Sequence, residues 1–177
     1  KMPWSCNIRA DLIDYELLKR MKKLGLAQIF IGIESGSQRI LDEIYNKRLN
    51  LENIENSINI ASELRLNIRA SCMIGAPTET RSEIKQTIKF INRLHIDEIV
   101  CYITTPFPKT KLYEKTKKYI NKKFYEFDYY KEPVYASAPI FTNRLYLRWI
   151  KRIVLLKFYM VPKRLFIILH LFFKKTG

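Results

Sequence analysis

The sequence predicts an α/β fold built on a parallel sheet, and three observations predict it. Apolar strand-like runs alternate with amphipathic helical stretches, in the order strand, helix, strand, helix, strand, helix, strand, across residues 1–110. Such alternation implies parallel strands joined by right-handed crossovers. The connections are near the usual length, so the pattern fits part of a barrel or an open doubly wound sheet. Third, the run Ile29-Phe30-Ile31-Gly32-Ile33-Glu34-Ser35-Gly36-Ser37 is an apolar strand tipped by a carboxylate, hydroxyls and glycines. The carboxyl ends of strands are where α/β folds place ligand sites.

The elements can be justified in chain order. Residues 4–9 read as a short strand. Asp14 is an N-cap for a helix to Lys23, with Leu17, Leu18, Met21 and Leu24 at helical spacing and Gly25 as its C-terminal stop. A second strand spans 27–33, and helices come next over 37–45 and 51–64. Ile54, Ile58, Ala61 and Leu64 share one face of the latter. The third strand, 68–74, ends in the turn Gly75-Ala76-Pro77. Thr80 opens a helix to Leu94, with Glu83 placed for a capping box and Ile84, Ile88 and Ile91 facing inward. The fourth strand, 98–104, is stopped by Pro106-Phe107-Pro108. Beyond it the sequence predicts a basic helical extension over 111–177, with a helix at 111–122 and two more divided by Pro162.

Composition narrows the class. With 47% hydrophobic and 28% charged residues in 177, the chain is globular rather than disordered. Its net charge of +15 favours anionic partners: nucleic acid, phosphates or anionic lipid. Cys6, Cys72 and Cys101 have neither zinc nor cluster spacing, so they read as buried reduced thiols of a cytoplasmic protein. His95 and His170 have no partner motif and read as structural. The opening Lys1-Met2-Pro3-Trp4 has no apolar leader, and the sequence is expected to begin inside a domain.

Four segments in order carry a resemblance: Trp4-Ser5-Cys6-Asn7-Ile8-Arg9-Ala10-Asp11, Ile31-Gly32-Ile33-Glu34-Ser35-Gly36-Ser37-Gln38, Met73-Ile74-Gly75-Ala76-Pro77-Thr78-Glu79-Thr80 and Thr105-Pro106-Phe107-Pro108-Lys109-Thr110. Together they resemble the second half of a radical SAM core domain, in the branch often fused to a cobalamin-binding domain. The resemblance implies an incomplete (β/α) barrel, the second half of a partial TIM barrel, with its third to sixth strands within 1–110. It implies that Glu34 and Ser35 contact S-adenosylmethionine, that Gly75 to Pro77 lie near the adenine, that Thr104, Thr105 and Pro106 border the site, and that Arg9 faces the same cavity. By its chemistry Glu34 could accept ribose hydroxyls or an ammonium; a carboxylate there could instead cap the next helix. Arg9 could meet a ligand carboxylate or pair with Asp11 or Glu34.

The sequence also departs from that pattern. It has no Cys-x3-Cys-x2-Cys loop to hold a [4Fe–4S] cluster and no glycine-glycine-glutamate segment. Arg48, Thr78 and Lys109 stand where the family commonly has glycine. The resemblance therefore implies a fragment of a radical SAM enzyme whose cluster-binding part lies in a missing N-terminal portion, with cobalamin as a further cofactor of the full-length protein. The alternative is a catalytically incompetent remnant that associates with membrane or RNA. Substrates of the parent enzyme would be small molecules or lipids.

The tail keeps two readings open. Residues 144–177 hold nine Lys or Arg and no acid, with Arg144, Arg148, Lys151 and Arg152 near one side and Trp149, Ile153, Leu156 and Met160 on another. These helices either lie on an anionic membrane at its inner face or pack against the barrel or a missing domain. Lysines interleave with Tyr113, Tyr119, Phe124, Tyr125, Phe127, Tyr129 and Tyr130, which also suits RNA, although no RNA-binding motif accompanies them.

Overall fold

Four parallel strands form one sheet in chain order: β1 (Trp4–Ile8), β2 (Leu26–Glu34), β3 (Asn67–Ile74) and β4 (Glu98–Ile103). The crossovers contain α1 (Tyr15–Lys23), α2 (Leu51–Glu63) and α3 (Arg81–Arg93). Two further helices come after β4, α4 (Lys111–Thr116) and α5 (Arg144–Tyr159). The computed structural model describes residues 2–120, 123–126, 144–161 and 164. His170, Phe127, Tyr129, Tyr130 and Pro162, and the second tail helix expected beyond Pro162, lie outside the described residues.

All the described long helices cover one face of the sheet. That face carries Ile29, Ile31 and Ile33 of β2, Ile68, Ala70, Cys72 and Ile74 of β3, and Ile99, Cys101 and Ile103 of β4, each buried. Ile54, Ile58 and Ala61 of α2 and Ile84 and Ile91 of α3 pack onto it, as helical spacing predicts. The other face is open and polar: Ser5, Asn7, Gln28, Phe30, Arg69 and Tyr102 line a hollow of about 350 Å³. A sheet covered on one face and polar on the other is what one wall of a barrel looks like.

Local signals placed the helix ends. Asp14 accepts from the Leu17 N–H at 2.9 Å. Thr80 accepts from the Glu83 N–H at 3.2 Å, and Glu83 accepts from the Thr80 N–H at 2.8 Å, closing the predicted capping box.

The structure refines three elements. The helix expected over 37–45 is present over 38–44, but it widens into a π turn at Ile40–Ile44, closed by Tyr45 N–H to the Ile40 carbonyl at 3.0 Å. Such wide turns are frequent at functional sites. The helix expected over 111–122 stops at Thr116, whose hydroxyl donates back to the Leu112 carbonyl at 2.7 Å; a 3-10 turn at Lys117–Tyr119 comes after it. Leu17 and Leu24 are exposed at 45% and 67%, leaving Leu18 as the buried anchor of α1. Their helix packs chiefly on β2 and α2, a contact that leaves part of its apolar stripe uncovered.

Candidate functional site

Arg9, Glu34, Gly75 and Thr104 each stand at the carboxyl end of, or directly after, one of the four adjacent parallel strands. They therefore share one edge of the sheet. A rigid ladder holds these tips in register, which is why polar groups there can converge on one ligand.

The tip of β2 is irregular. Pairing with β3 shifts register between Gly32 and Glu34, so Gly32 opposes Ser71 while Glu34 opposes Cys72. Glu34 itself has φ +66°, a left-handed backbone that non-glycine residues adopt at a cost. Its carboxylate accepts from the Lys47 ammonium, and Lys47 also donates to the Gly32 carbonyl at 3.3 Å. Both side chains are largely sheltered, at 15% and 23% exposure. Gly32 makes the pairing fit: a Cβ there would stand 2.9 Å from the Lys47 nitrogen and closer still to Glu34. Glu34 thus takes an ammonium as partner rather than capping a helix.

The turn after β3 rests on a buried carboxylate. Glu79, 0% exposed, accepts from the backbone N–H groups of Gly75 at 2.6 Å and Ala76 at 3.1 Å through one oxygen. Its other oxygen, Oε1, is buried without a hydrogen-bond partner. Burial raises its pKa from 4.5 to about 7, against the two backbone hydrogen bonds that favour the anion. Pro77 follows, and beside it a cleft of about 500 Å³ is lined by Arg39, Glu43, Pro77, Thr78 and Lys118 among others. Arg39 crosses to Glu83 with two hydrogen bonds of 2.8 and 2.9 Å. That guanidinium lowers the Glu83 pKa to about 2.

At the end of β4 the Thr104 hydroxyl donates to the Ile74 carbonyl at 3.1 Å. Its single proton is then used, so the Tyr45 hydroxyl 2.6 Å away is the donor to Thr104. Thr105 donates to the Ile103 carbonyl at 3.1 Å. Tyr45 ties the wide turn after β2 to the tip of β4, across the mouth of the intervening strand.

Two residues are engaged within the chain. Arg9 forms a two-pronged pair with Asp11 at 3.0 and 2.8 Å, one of the partners its position suggested. This raises the Arg9 pKa and lowers that of Asp11. Ser35 is 0% exposed, shares a hydrogen bond of 3.2 Å with Thr87 and accepts from the Ser37 N–H at 3.1 Å. The neighbouring Gly36 lets this loop touch α3, since a Cβ would meet the Thr87 Cα at 2.6 Å. The serine-glycine part of the motif serves helix packing here, while its glutamate serves the strand tip.

The described cysteines do not fit an iron–sulfur cluster. Cys6, Cys72 and Cys101 lie on three different strands, and no group of three His, Cys, Asp or Glu able to hold a metal occurs among the described residues. Cys72 opposes Cys101 on the helix-covered face. The hydrogen bond between them and full burial push the Cys72 thiol well above its usual range, away from the thiolate that metals need.

Tyr45, Lys47 and Glu79 were not among the predicted site residues. Glu79 had a signal, an acid four residues after the turn glycine. Tyr45 and Lys47 had none, because the wide turn that aims them is invisible to a 3.6-residue period.

Comparison with known proteins agrees with this geometry. The sequence profile described as the Radical SAM superfamily matches residues 1–91. An uncharacterized methyltransferase of Pyrococcus horikoshii is 36% identical over 111 residues, which are 63% of this chain and 24% of that protein. A protein of Methanocaldococcus jannaschii, provisionally named a methylthiotransferase, is 32% identical over 106 residues, or 60% of this chain and 23% of its own. The chain thus spans about a quarter of the length of these curated relatives. Coproporphyrinogen III oxidase from Escherichia coli, a radical SAM enzyme by the description of its structure, superposes with a TM-score of 0.56 at 17% identity, over 66% of this chain and 26% of that one. That likeness shows a shared fold.

Proposed function

The chain belongs to the radical SAM superfamily, and from that premise we propose that its strand ends form one wall of an S-adenosylmethionine site in a longer enzyme. That enzyme cleaves S-adenosylmethionine reductively at a [4Fe–4S] cluster, which supplies the electron. The observation that carries the reading is the alignment of Glu34, Gly75 and Thr104 on the ends of three neighbouring parallel strands. The cysteines of this chain do not fit the cluster, so its ligands come from sequence other than this one.

Within that reading each residue has a defined task. Glu34, oriented by Lys47, receives ribose hydroxyls or the ammonium of the ligand. The backbone of Gly75 to Pro77, fixed by Glu79, flanks the adenine. Thr104 and Thr105, whose hydroxyls are tied to backbone carbonyls, hold the rim of the site rigid. Cobalamin use by the full-length protein belongs to the same proposal and rests on the motif-level resemblance.

The test uses the full-length protein, reconstituted anaerobically with iron and sulfide and given a reductant. It should convert S-adenosylmethionine to 5′-deoxyadenosine. Glu34→Ala should raise the KM for S-adenosylmethionine by about tenfold or more, the loss of a hydrogen bond to a charged group. A cluster-loaded protein that yields no 5′-deoxyadenosine, or a Glu34→Ala variant with unchanged KM, would overturn the assignment.

A further inference from the structure

Helix α5 presents two opposed faces. Ile150, Val154 and Phe158, four residues apart, are buried at 6%, 0% and 0%, and α5 packs against β4 and α3. The barrel-packing expectation for this helix is therefore met by one face. The opposite face carries Arg148, Trp149, Arg152, Leu156 and Met160 at the same helical spacing, with Lys157 at its margin, all exposed. Trp149, Leu156 and Met160 are 59%, 58% and 68% exposed. Large apolar side chains and cations thus share a single solvent-facing stripe on a helix whose core-facing side is already satisfied.

Charge decides what covers that stripe. The sequence has nine Lys or Arg and no acid over 144–177, within a chain of net charge +15. A second copy docking on the same stripe would bring like charges together. An anionic surface complements it, and it must accept tryptophan, leucine and methionine between its charges. No described helix is long and apolar enough to cross a membrane, and cations beside large apolar side chains on one helix face are the pattern of helices that bind at a bilayer surface. We propose that the outer face of α5 docks on an anionic lipid surface. Leu156 and Met160, beside Trp149, enter the headgroup boundary while Arg152 and Lys157 meet lipid phosphates. This stands independently of the chemistry at the strand ends.

Vesicle flotation of the whole chain tests it, with phosphatidylcholine vesicles compared with vesicles that also contain phosphatidylglycerol. The chain should float with the anionic vesicles, and added salt should release it. Replacing both Arg152→Gln and Lys157→Gln should weaken partitioning by about thirtyfold, the effect of two surface cations. Replacing both Leu156→Ser and Met160→Ser should weaken it by about tenfold or more with the charge unchanged. These side chains are exposed, so thermal melts of the variants should match the parent. In a Trp4→Phe chain, where Trp149 is the remaining tryptophan, its emission should shift to the blue with anionic vesicles. Equal binding to neutral vesicles would overturn the proposal. So would partitioning that neither double variant weakens, or an absence of vesicle binding alongside RNA binding or self-association in sedimentation.

Discussion

Replacing Glu79 with glutamine should remove a specific pH dependence of stability. Glu79 is wholly buried, and one oxygen has no partner. Its carboxyl therefore keeps its proton in the folded chain up to about pH 7, whereas an ordinary glutamate releases it near 4.5. Between those values the folded state binds more protons than the unfolded one. Stability is then fully present below pH 4.5 and declines as pH rises through 7. The difference, at 1.36 kcal/mol per pH unit, comes to about 3 kcal/mol. Glutamine keeps an acceptor for the Gly75 and Ala76 N–H groups and carries no charge at any pH. Glu79→Gln should match the parent at low pH and exceed it by up to about 3 kcal/mol above pH 8. Urea titrations of both proteins, read by circular dichroism across this range, give the difference directly, and groups common to both cancel. Glu79→Ala should instead cost about 2 kcal/mol below pH 4.5, where the parent's glutamate is neutral, because two buried amides lose their acceptor. Parallel stability curves for the parent and Glu79→Gln would show that the carboxylate is not held neutral by burial, and the reasoning would fail.

Other outcomes are expected from the same structure. Glu83, whose pKa is held near 2 chiefly by Arg39, contributes stability that is present above pH 4.5 and is lost as pH falls toward 2; Glu83→Gln should abolish that acid-side decline, worth up to about 3 kcal/mol. Lys109 has φ +70°, so Lys109→Gly should raise stability by about 1 kcal/mol in thermal or urea unfolding. Thr78→Gly, at φ +66°, should gain less, because its hydroxyl also accepts from Arg39 at 3.3 Å. Gly36→Ala should cost about 1–3 kcal/mol by forcing the loop from α3; a melt unchanged from the parent would show that the loop can yield.

Much of this architecture was legible in the chain alone. Alternation of apolar runs with 3.6-residue periods determined that β1 to β4 run parallel, because each helical crossover returns the chain to the end of the sheet where the last strand began. Asp14 and Thr80 marked helix starts, since capping is local chemistry between residues three apart. The residues at the three glycine-like positions of the family, Arg48, Thr78 and Lys109, all have left-handed backbones at φ +50°, +66° and +70°. A backbone requirement had left its trace even where glycine was replaced.

Tertiary structure decided what the polar residues touch. Glu34 meets Lys47, thirteen positions away, only because a bulge in β2 and a π turn after it bring both to the same spot. Ser35 turned to α3 rather than to the mouth, because Thr87 and the close contact at Gly36 claim it. Glu79 became a turn-holding acid that keeps its proton to about pH 7, because burial outweighs its two hydrogen bonds. The parallel run of the strands comes from periodicity, a property of neighbours along the chain, while their order in the sheet came with the fold. Side-chain partnership, burial and charge state depend on residues brought together from far apart, and those quantities exist only once the chain has folded.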